Sequence, residues 1–324
     1  MGNMRACLAA MLVLLSTGVA AAQAPSTLKW SAGAPMPSTR SEIAVAELDG
    51  RIYVIGSFTG ERELEIYDAR ANRWSRGAPL PHSVHHPAAA ALAGKIYAIG
   101  GYVSGWTPTS DVFEYDPAAD RWRAVATLPT ARGALAAAVL DGKVHAVGGV
   151  GANGHNTPAH EVYDPAADRW TPAAPVPTAR DHLAVVAADG RLYALGGRID
   201  GGYSRNLAVV EAYDPAADKW ETRTAMPTAR SGIAAAVLGG RIVVVGGEAP
   251  AGTFRRPRAT IPRRTAGARF RTCRRPATAS ALPSWATAST SSAAAPGPAA
   301  VRQRWWKFSG PRACPAEDLT VERI

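Results

Sequence analysis

One spacing recurs four times and constrains this chain more than any other feature. Tyr67, Tyr115, Tyr163 and Tyr213 each precede a tryptophan by seven residues, at Trp74, Trp122, Trp170 and Trp220. The text between them is nearly constant: YDARANRW, YDPAADRW twice, and YDPAADKW. With Trp30 in front, successive tryptophans lie 44, 48, 48 and 50 residues apart. Before each Tyr comes an apolar run ending in small residues: RIYVIGS, KIYAIGG, KVHAVGG and RLYALGG. A fifth run, RIVVVGG from Arg241, has no Tyr after it. The glycine pairs are Gly100-Gly101, Gly148-Gly149, Gly196-Gly197 and Gly246-Gly247. Another apolar run stands before each of these, joined by a two-residue link such as Asp49-Gly50 or Asp141-Gly142. Asp-Gly between apolar runs is a strong signal for a type I′ hairpin.

Each complete unit thus holds four short strands, with no helical periodicity between them. A period near 50 residues with Gly-Gly, Tyr and Trp at these offsets resembles the kelch repeat. The resemblance covers about residues 28–250 and is carried by successive units. It implies an all-β, kelch-type β-propeller, with each unit a blade around a central channel. Gly-Gly would let the inner strands approach one another closely. The recurring Tyr and Trp would fill the space between blades as core, not as a sugar-stacking platform.

The pattern stops after Pro250. Residues 255–275 carry nine Arg, and residues 276–300 are almost all Ala, Ser, Thr and Pro. As it stands this is a basic, irregular or disordered tail. Read two nucleotides out of register, however, codons for Ala259 to Gly267 can spell YDPAPDRW, with its Trp about 47 residues after Trp220. The same displacement continues through Ala295 and at Trp305 to Phe308. It defines a frameshift near residues 250–258 as an expectation. Six blades are then encoded, and about four and a half are present in frame. Leu28-Lys29-Trp30-Ser31 would supply the missing outer strand of the last blade and close the ring.

Charge follows the same boundary. The chain of 324 residues has 36 Lys+Arg and 26 Asp+Glu, a formal net charge of +10. Residues 251–324 hold 14 basic and three acidic side chains, so the remaining 250 hold 22 and 23, a net −1. The basicity belongs to the tail, and nucleic acid is not an expected partner. Arg5, the apolar run Ala6–Ala20 and Ala22-Gln23-Ala24 read as a secretory signal cleaved after Ala24. The domain reading is therefore a signal peptide at 1–24, an incomplete propeller at 25–250 and a tail at 251–324. A secreted or periplasmic location is expected, with no membrane span in the mature chain.

Propeller sites gather where loops meet at one mouth of the channel. Aligning the loops that follow the fourth strands gives PMPSTRSE, PLPHSVHH, TLPTARGA, PVPTARDH and AMPTARSG. Arg40, Arg132, Arg180 and Arg230 share a column, with Val84 the exception. Such repetition points to a structural role, such as bridging adjacent blades. The next columns vary and hold Glu42, His85, His86, Asp181 and His182. The kelch resemblance implies that these positions face the mouth. Acid/base work and a His-carboxylate metal site are both conceivable there. Ordinary loop polarity is the adopted reading, because ring positions one and four should lie far apart; no metal and no cofactor are expected. Longer loops add Tyr102, Trp106, Asn153, His155, Asp200, Tyr203 and Arg205, and Trp106 lies outside the repeat pattern.

Three functions are open to such a chain. The first, which we adopt, is an exported binding protein that recognises a glycan or a protein through its loop face without catalysis. The second is similarity to the periplasmic kelch enzymes that epimerise N-acetylneuraminate, though no motif beyond the shared repeat carries their residues over. The third, a galactose-oxidase-like copper enzyme, needs a Tyr–Cys crosslink. It is excluded because beyond the leader only Cys273 and Cys314 exist, both in the tail.

Overall fold

The computed structural model describes residues 31–250 and the short strands Gly252–Thr253, Arg258–Thr260, Arg269–Phe270 and Val321–Glu322. The expected leader at 1–24, Trp30 with its strand, and the out-of-frame reading of 251–324 lie outside the described residues.

Alternation of inward and outward side chains, punctuated by two-residue turns, yields antiparallel four-stranded sheets in the expected places. Blade 1 is built from Ala44–Leu48, Arg51–Ile55, Leu64–Asp68 and Arg73–Gly77. Blade 2 comprises Ala88–Leu92, Lys95–Ile99, Val112–Asp116 and Arg121–Ala124. Blade 3 comprises Ala136–Leu140, Lys143–Val147, His160–Asp164 and Arg169–Pro172. Ala184–Ala188, Arg191–Leu195, Val210–Asp214 and Lys219–Arg223 make blade 4. Blade 5 is the hairpin Ser231–Leu238 and Arg241–Ala249, with Gly252–Thr253 and Arg258–Thr260 both paired to its second strand. The inner hairpins turn as expected: Asp49 and Gly50, like Asp141 and Gly142, have positive φ at both positions, as a type I′ turn requires.

Blades stack face to face in chain order, and their aromatics are the mortar. Tyr97, Ile99 and Val112 of blade 2 pack on Val144, Ala146, Tyr163 and Trp170 of blade 3. Blade 3 presents Ala136, Leu140 and Val147 to Leu183, Leu192, Tyr213 and Trp220 of blade 4. Each Tyr lies directly across the ladder from its Trp, as in the pairs Tyr163–Trp170 and Tyr213–Trp220. A ring of this size buries about 150–250 Å², on the order of 4–6 kcal/mol of transfer free energy before entropy is subtracted.

The Asp of the YDPAADRW words, which nothing in the spacing singles out, ties neighbouring blades together. Asp168 Oδ1 accepts from Tyr163 Oη at 2.8 Å and from the Ala126 N–H at 2.8 Å. Trp170 Nε1 donates to the carbonyl of the same Ala126 at 2.8 Å. Tyr213, Asp218 and Trp220 hold Ala174 in the same way, and Tyr115, Asp120 and Trp122 hold Ala78. Tyr67, Asn72 and Trp74 close the same clasp on Ala34. The residue leaving one blade is therefore gripped by the next. Ala34 takes this position although the described residues hold no blade before it.

The inner strands adjoin from blade 1 through blade 5, and no comparable packing joins blade 5 to blade 1 among the described residues. Leu238, on the outward face of blade 5, is 50% exposed.

Candidate functional site

The repeating Arg explains how the mouth of the channel is held. Arg132 is fully buried and donates to the carbonyls of Thr130, Gly148 and Ala146 while pairing with Glu161. Arg180 pairs with Glu211 at 2.5 Å, and Arg230 donates to the Gly246 carbonyl. Apart from Thr130, which lies in the loop itself, these partners lie in the blade that the loop is entering. The column is structural, as expected, but it staples each incoming loop to its own blade instead of bridging two blades.

Past that staple the chain makes an unusual turn. Glu42, His86, Ala134 and His182 all have φ between 50° and 56°, and Gly232 has 58°. Non-glycine residues enter this left-handed region rarely, so the same conformation at four equivalent positions marks a constraint of the repeat. The constraint is a chain of backbone hydrogen bonds running across the blades. His86 N donates to Glu42 O, Ala134 N to His86 O, His182 N to Ala134 O and Gly232 N to His182 O, at 2.9–3.0 Å. Equivalent residues of successive blades are thereby drawn to the axis.

A second column lies beside the first. The residue after each Gly-Gly step, or after Gly56-Ser57 in blade 1, is Phe58, Tyr102, Val150, Arg198 or Glu248, and these bridge back to the loop column, for example Tyr102 to His85 and Arg198 to Asp181. Close approach explains the glycines here. A Cβ on Gly101 would lie 2.8 Å from the His85 carbonyl oxygen, and one on Gly197 would lie 2.8 Å from that of Asp181.

These two columns bring together residues that the sequence placed far apart. Glu42 Oε2 lies 2.9 Å from His86 Nε2 and 3.8 Å from His182 Nε2, and the two imidazoles are 5.0 Å apart between centroids. The expected separation of ring positions one and four is therefore corrected: the left-handed turn points both side chains at the axis. Asp181 Oδ1 accepts from His182 Nδ1 at 2.5 Å and from Arg198 Nε at 3.2 Å. Arg198 also reaches Glu248 Oε2 at 2.6 Å and His182 Nε2 at 2.9 Å. His85 Nδ1 and His86 Nδ1 are 2.6 Å apart, and His85 Nε2 meets the Gly105 carbonyl at 2.5 Å.

Aromatic side chains wall one side. Trp106 stands within 5.1–5.8 Å of His85, His86, Tyr102 and Phe58. Trp106 and Phe58 are 51% and 42% exposed, whereas the side chains of Glu42 and His86 beneath are only 3% and 2% exposed. Tyr203 supports the opposite, charged wall, its ring 4.4 Å from the Arg198 guanidinium. Arg205 is not part of the cluster; it pairs at the surface with Asp200 at 3.2 Å. His155 lies at the surface as well, 3.9 Å from Asp200. Phe58, Arg198 and Glu248 escaped the sequence reading, although one signal was available: all follow the Gly-Gly step, or its Gly56-Ser57 counterpart, and break the likeness between repeats.

Electrostatics in this setting run against burial in two cases. Burial acts to raise the Glu42 carboxyl, but His86, His182 and Arg198 together hold it below its ordinary value. Burial likewise opposes ionisation of Asp181, yet His182, Asn156 and the Gly201 amide bring it down to about 2. His86 is pushed down to about 4, chiefly by burial, with Glu42 acting against it. Burial also lowers His85.

Chemically, Glu42, His86 and His182 each offer one ligand atom, all within 4.8 Å of one another, so they could hold a metal ion. A surface hollow at the opposite end of blades 1 and 2, lined by Asp49, Lys95 and Asp116, carries no such cluster. It contains the ordinary hairpin ion pair Lys95–Asp116.

With propeller and mouth described, the class of protein follows. Residues 84–129 and 179–227 match the Kelch motif, and the chain is a kelch-repeat β-propeller. No curated protein matches it. Among solved structures, "Structure of YjhT" superposes with a TM-score of 0.61 at 18% identity, covering 68% of this chain and 76% of that one. At that identity the likeness is one of fold.

Proposed function

We propose that the protein is an exported binding propeller that takes a carbohydrate at the channel mouth without transforming it. The observation that carries this reading is the two-sided mouth. Half-exposed Trp106 and Phe58 offer apolar faces beside Tyr102, while Arg198, Asp181, Glu248 and the histidines offer donors and acceptors opposite. A pyranose has that same division, one face of C–H groups and a rim of hydroxyls. Kelch propellers as a class support interaction roles. Export rests on the leader-like residues 1–24.

A glycan array, followed by titration calorimetry on any hit, tests the proposal. Trp106→Ala is expected to weaken binding by about tenfold or more, in line with ~1–3 kcal/mol for a lost aromatic stack. Capture of proteins with no glycan bound, or a glycan hit indifferent to Trp106→Ala, would overturn it.

A second reading draws on the Asp181–His182 pair facing Glu42, an arrangement suited to proton transfer in sugar anomerisation or epimerisation. Binding is preferred because Arg198 occupies His182 Nε2, the nitrogen that would exchange the proton. NMR of N-acetylneuraminate anomers separates the two: faster equilibration that is lost in His182→Asn would favour an isomerase.

A further inference from the structure

The hydrogen bonds around the channel mouth fix which imidazole nitrogens carry protons. The Gly105 carbonyl can only accept, so His85 Nε2, at 2.5 Å from it, is the protonated nitrogen of that ring. His85 Nδ1 is then bare and accepts from His86 Nδ1 at 2.6 Å. That leaves His86 Nε2 as a bare lone pair. It lies 2.9 Å from a Glu42 oxygen, yet neither it nor Glu42 Oε1 has a hydrogen-bond partner, and both side chains are almost completely buried. At the other ring, His182 Nδ1 faces the Asp181 carboxylate at 2.5 Å and carries the proton, so His182 Nε2 has no proton of its own and accepts from Arg198 at 2.9 Å. Three lone-pair donors therefore converge, and between Glu42 and His86 no proton relieves the contact, an arrangement that a cation at their focus would satisfy.

We propose that Glu42, His86 and His182 bind a single Zn²⁺ ion at the channel axis, with a fourth coordination position open toward Trp106. Two imidazoles and one carboxylate form a donor set that zinc favours, and a set of three leaves room for an exchangeable ligand. Zinc–ligand bonds of about 2.0–2.1 Å give ligand–ligand edges of about 3.3 Å in a tetrahedron; the two edges from Glu42 bracket this at 2.9 Å and 3.8 Å, and all three atoms lie within 4.8 Å, so small side-chain shifts would close the set on the ion. The outer sphere is built as metal sites require. Asp181 orients His182 through Nδ1, and the His85–Gly105 relay does the same for His86. Arg198 now occupies the His182 lone pair. When zinc enters, its guanidinium yields that contact and keeps Asp181 and Glu248. Zinc binding of this kind is independent of whether the mouth takes a carbohydrate.

The test uses the full chain with Cys7, Cys273 and Cys314 replaced by Ser, so that no thiol competes for the ion. After chelator treatment and dialysis, Zn²⁺ is titrated by calorimetry, and Co²⁺ is added in parallel as a spectroscopic probe of tetrahedral coordination. One equivalent of zinc is expected, with a tetrahedral cobalt spectrum. Glu42→Gln and His182→Asn should each weaken zinc by more than about a hundredfold, beyond the 10–100-fold expected of the outer-sphere variant Asp181→Asn. Glu42→Gln is nearly isosteric and keeps the test valid if a histidine variant does not fold. No stoichiometric zinc, an octahedral cobalt spectrum, or unchanged affinity in Glu42→Gln would overturn the site.

Discussion

At the scale of single residues, the interface between blades 3 and 4 contains a pair that breaks the repeat. Where the runs of blades 1, 2 and 4 place Tyr53, Tyr97 and Tyr193, blade 3 has His145, whose Nδ1 lies 2.9 Å from His160 Nε2. Both rings pack beside Tyr213. Burial pushes both from an ordinary value of 6.5 down to about 4. The unfolded chain therefore takes up these protons near pH 6.5, and the folded one only near pH 4. Acid favours unfolding across that window; the stability is fully present above pH 6.5 and is lost as pH falls toward 4. A tenfold difference in proton affinity between the folded and unfolded chain corresponds to about 1.4 kcal/mol, so the pair should cost on the order of a few kcal/mol by pH 4. Urea unfolding measured from pH 7 to pH 4 should show this loss, and His145→Tyr, which restores the repeat, should flatten it. An unchanged slope in that variant would count against the assignment.

At the scale of strands and turns, the glycines after each second strand decide whether the mouth can form. Gly197 has φ +99°, and a Cβ there would meet the Asp181 carbonyl oxygen, which accepts from the Arg198 amide. Gly197→Ala is expected to lower stability by about 1–3 kcal/mol and to pull Arg198 off Asp181. Thermal unfolding reads the first effect and zinc or glycan titration the second. Much at this scale was legible in the sequence, because hairpins and inter-blade aromatics are written in local spacing: Asp-Gly gives its turn, and Tyr and Trp at seven residues face each other across one ladder. The channel mouth was legible only in part. Glu42, His85, His86, Asp181 and His182 stood out by varying within a repeat. Their convergence depends on a left-handed turn and on hydrogen bonds between blades, neither of which has a residue signature when Glu, His and Ala all adopt the turn. Arg198 and Glu248 were hidden for a related reason: each reads as the start of a loop until the bridge back to Asp181 or Ser231 is seen.

At the scale of the whole molecule, the four complete blades and partial fifth of the described residues leave the inner strand of blade 5 with an apolar face toward solvent at Leu238. Blade 1 meanwhile already grips Ala34, as it would grip the end of a preceding blade. Among the described residues, both ends of the stack are thus open. This agrees with the proposal that residues beyond about 250 are read out of frame. A gene repaired at that point is expected to give a more soluble protein with a higher, sharper melting transition, since closure covers both open faces. Equal yield and equal melting for the two versions would contradict the proposal, as would codons unable to spell the repeat in the shifted frame.

The clasp of Tyr, Asp and Trp on the alanine behind it gives the stack a direction. Blades 1 to 4 each reach backward to hold the strand exit before them, but no tyrosine follows Tyr213, so among the described residues blade 5 lacks this clasp and is held to blade 4 by its core and by contacts at the mouth alone. The sheets behave as overlapping roof tiles of which the last is short of one nail. Wear should begin at that tile and travel toward the amino terminus, whatever the relative size of the individual cores.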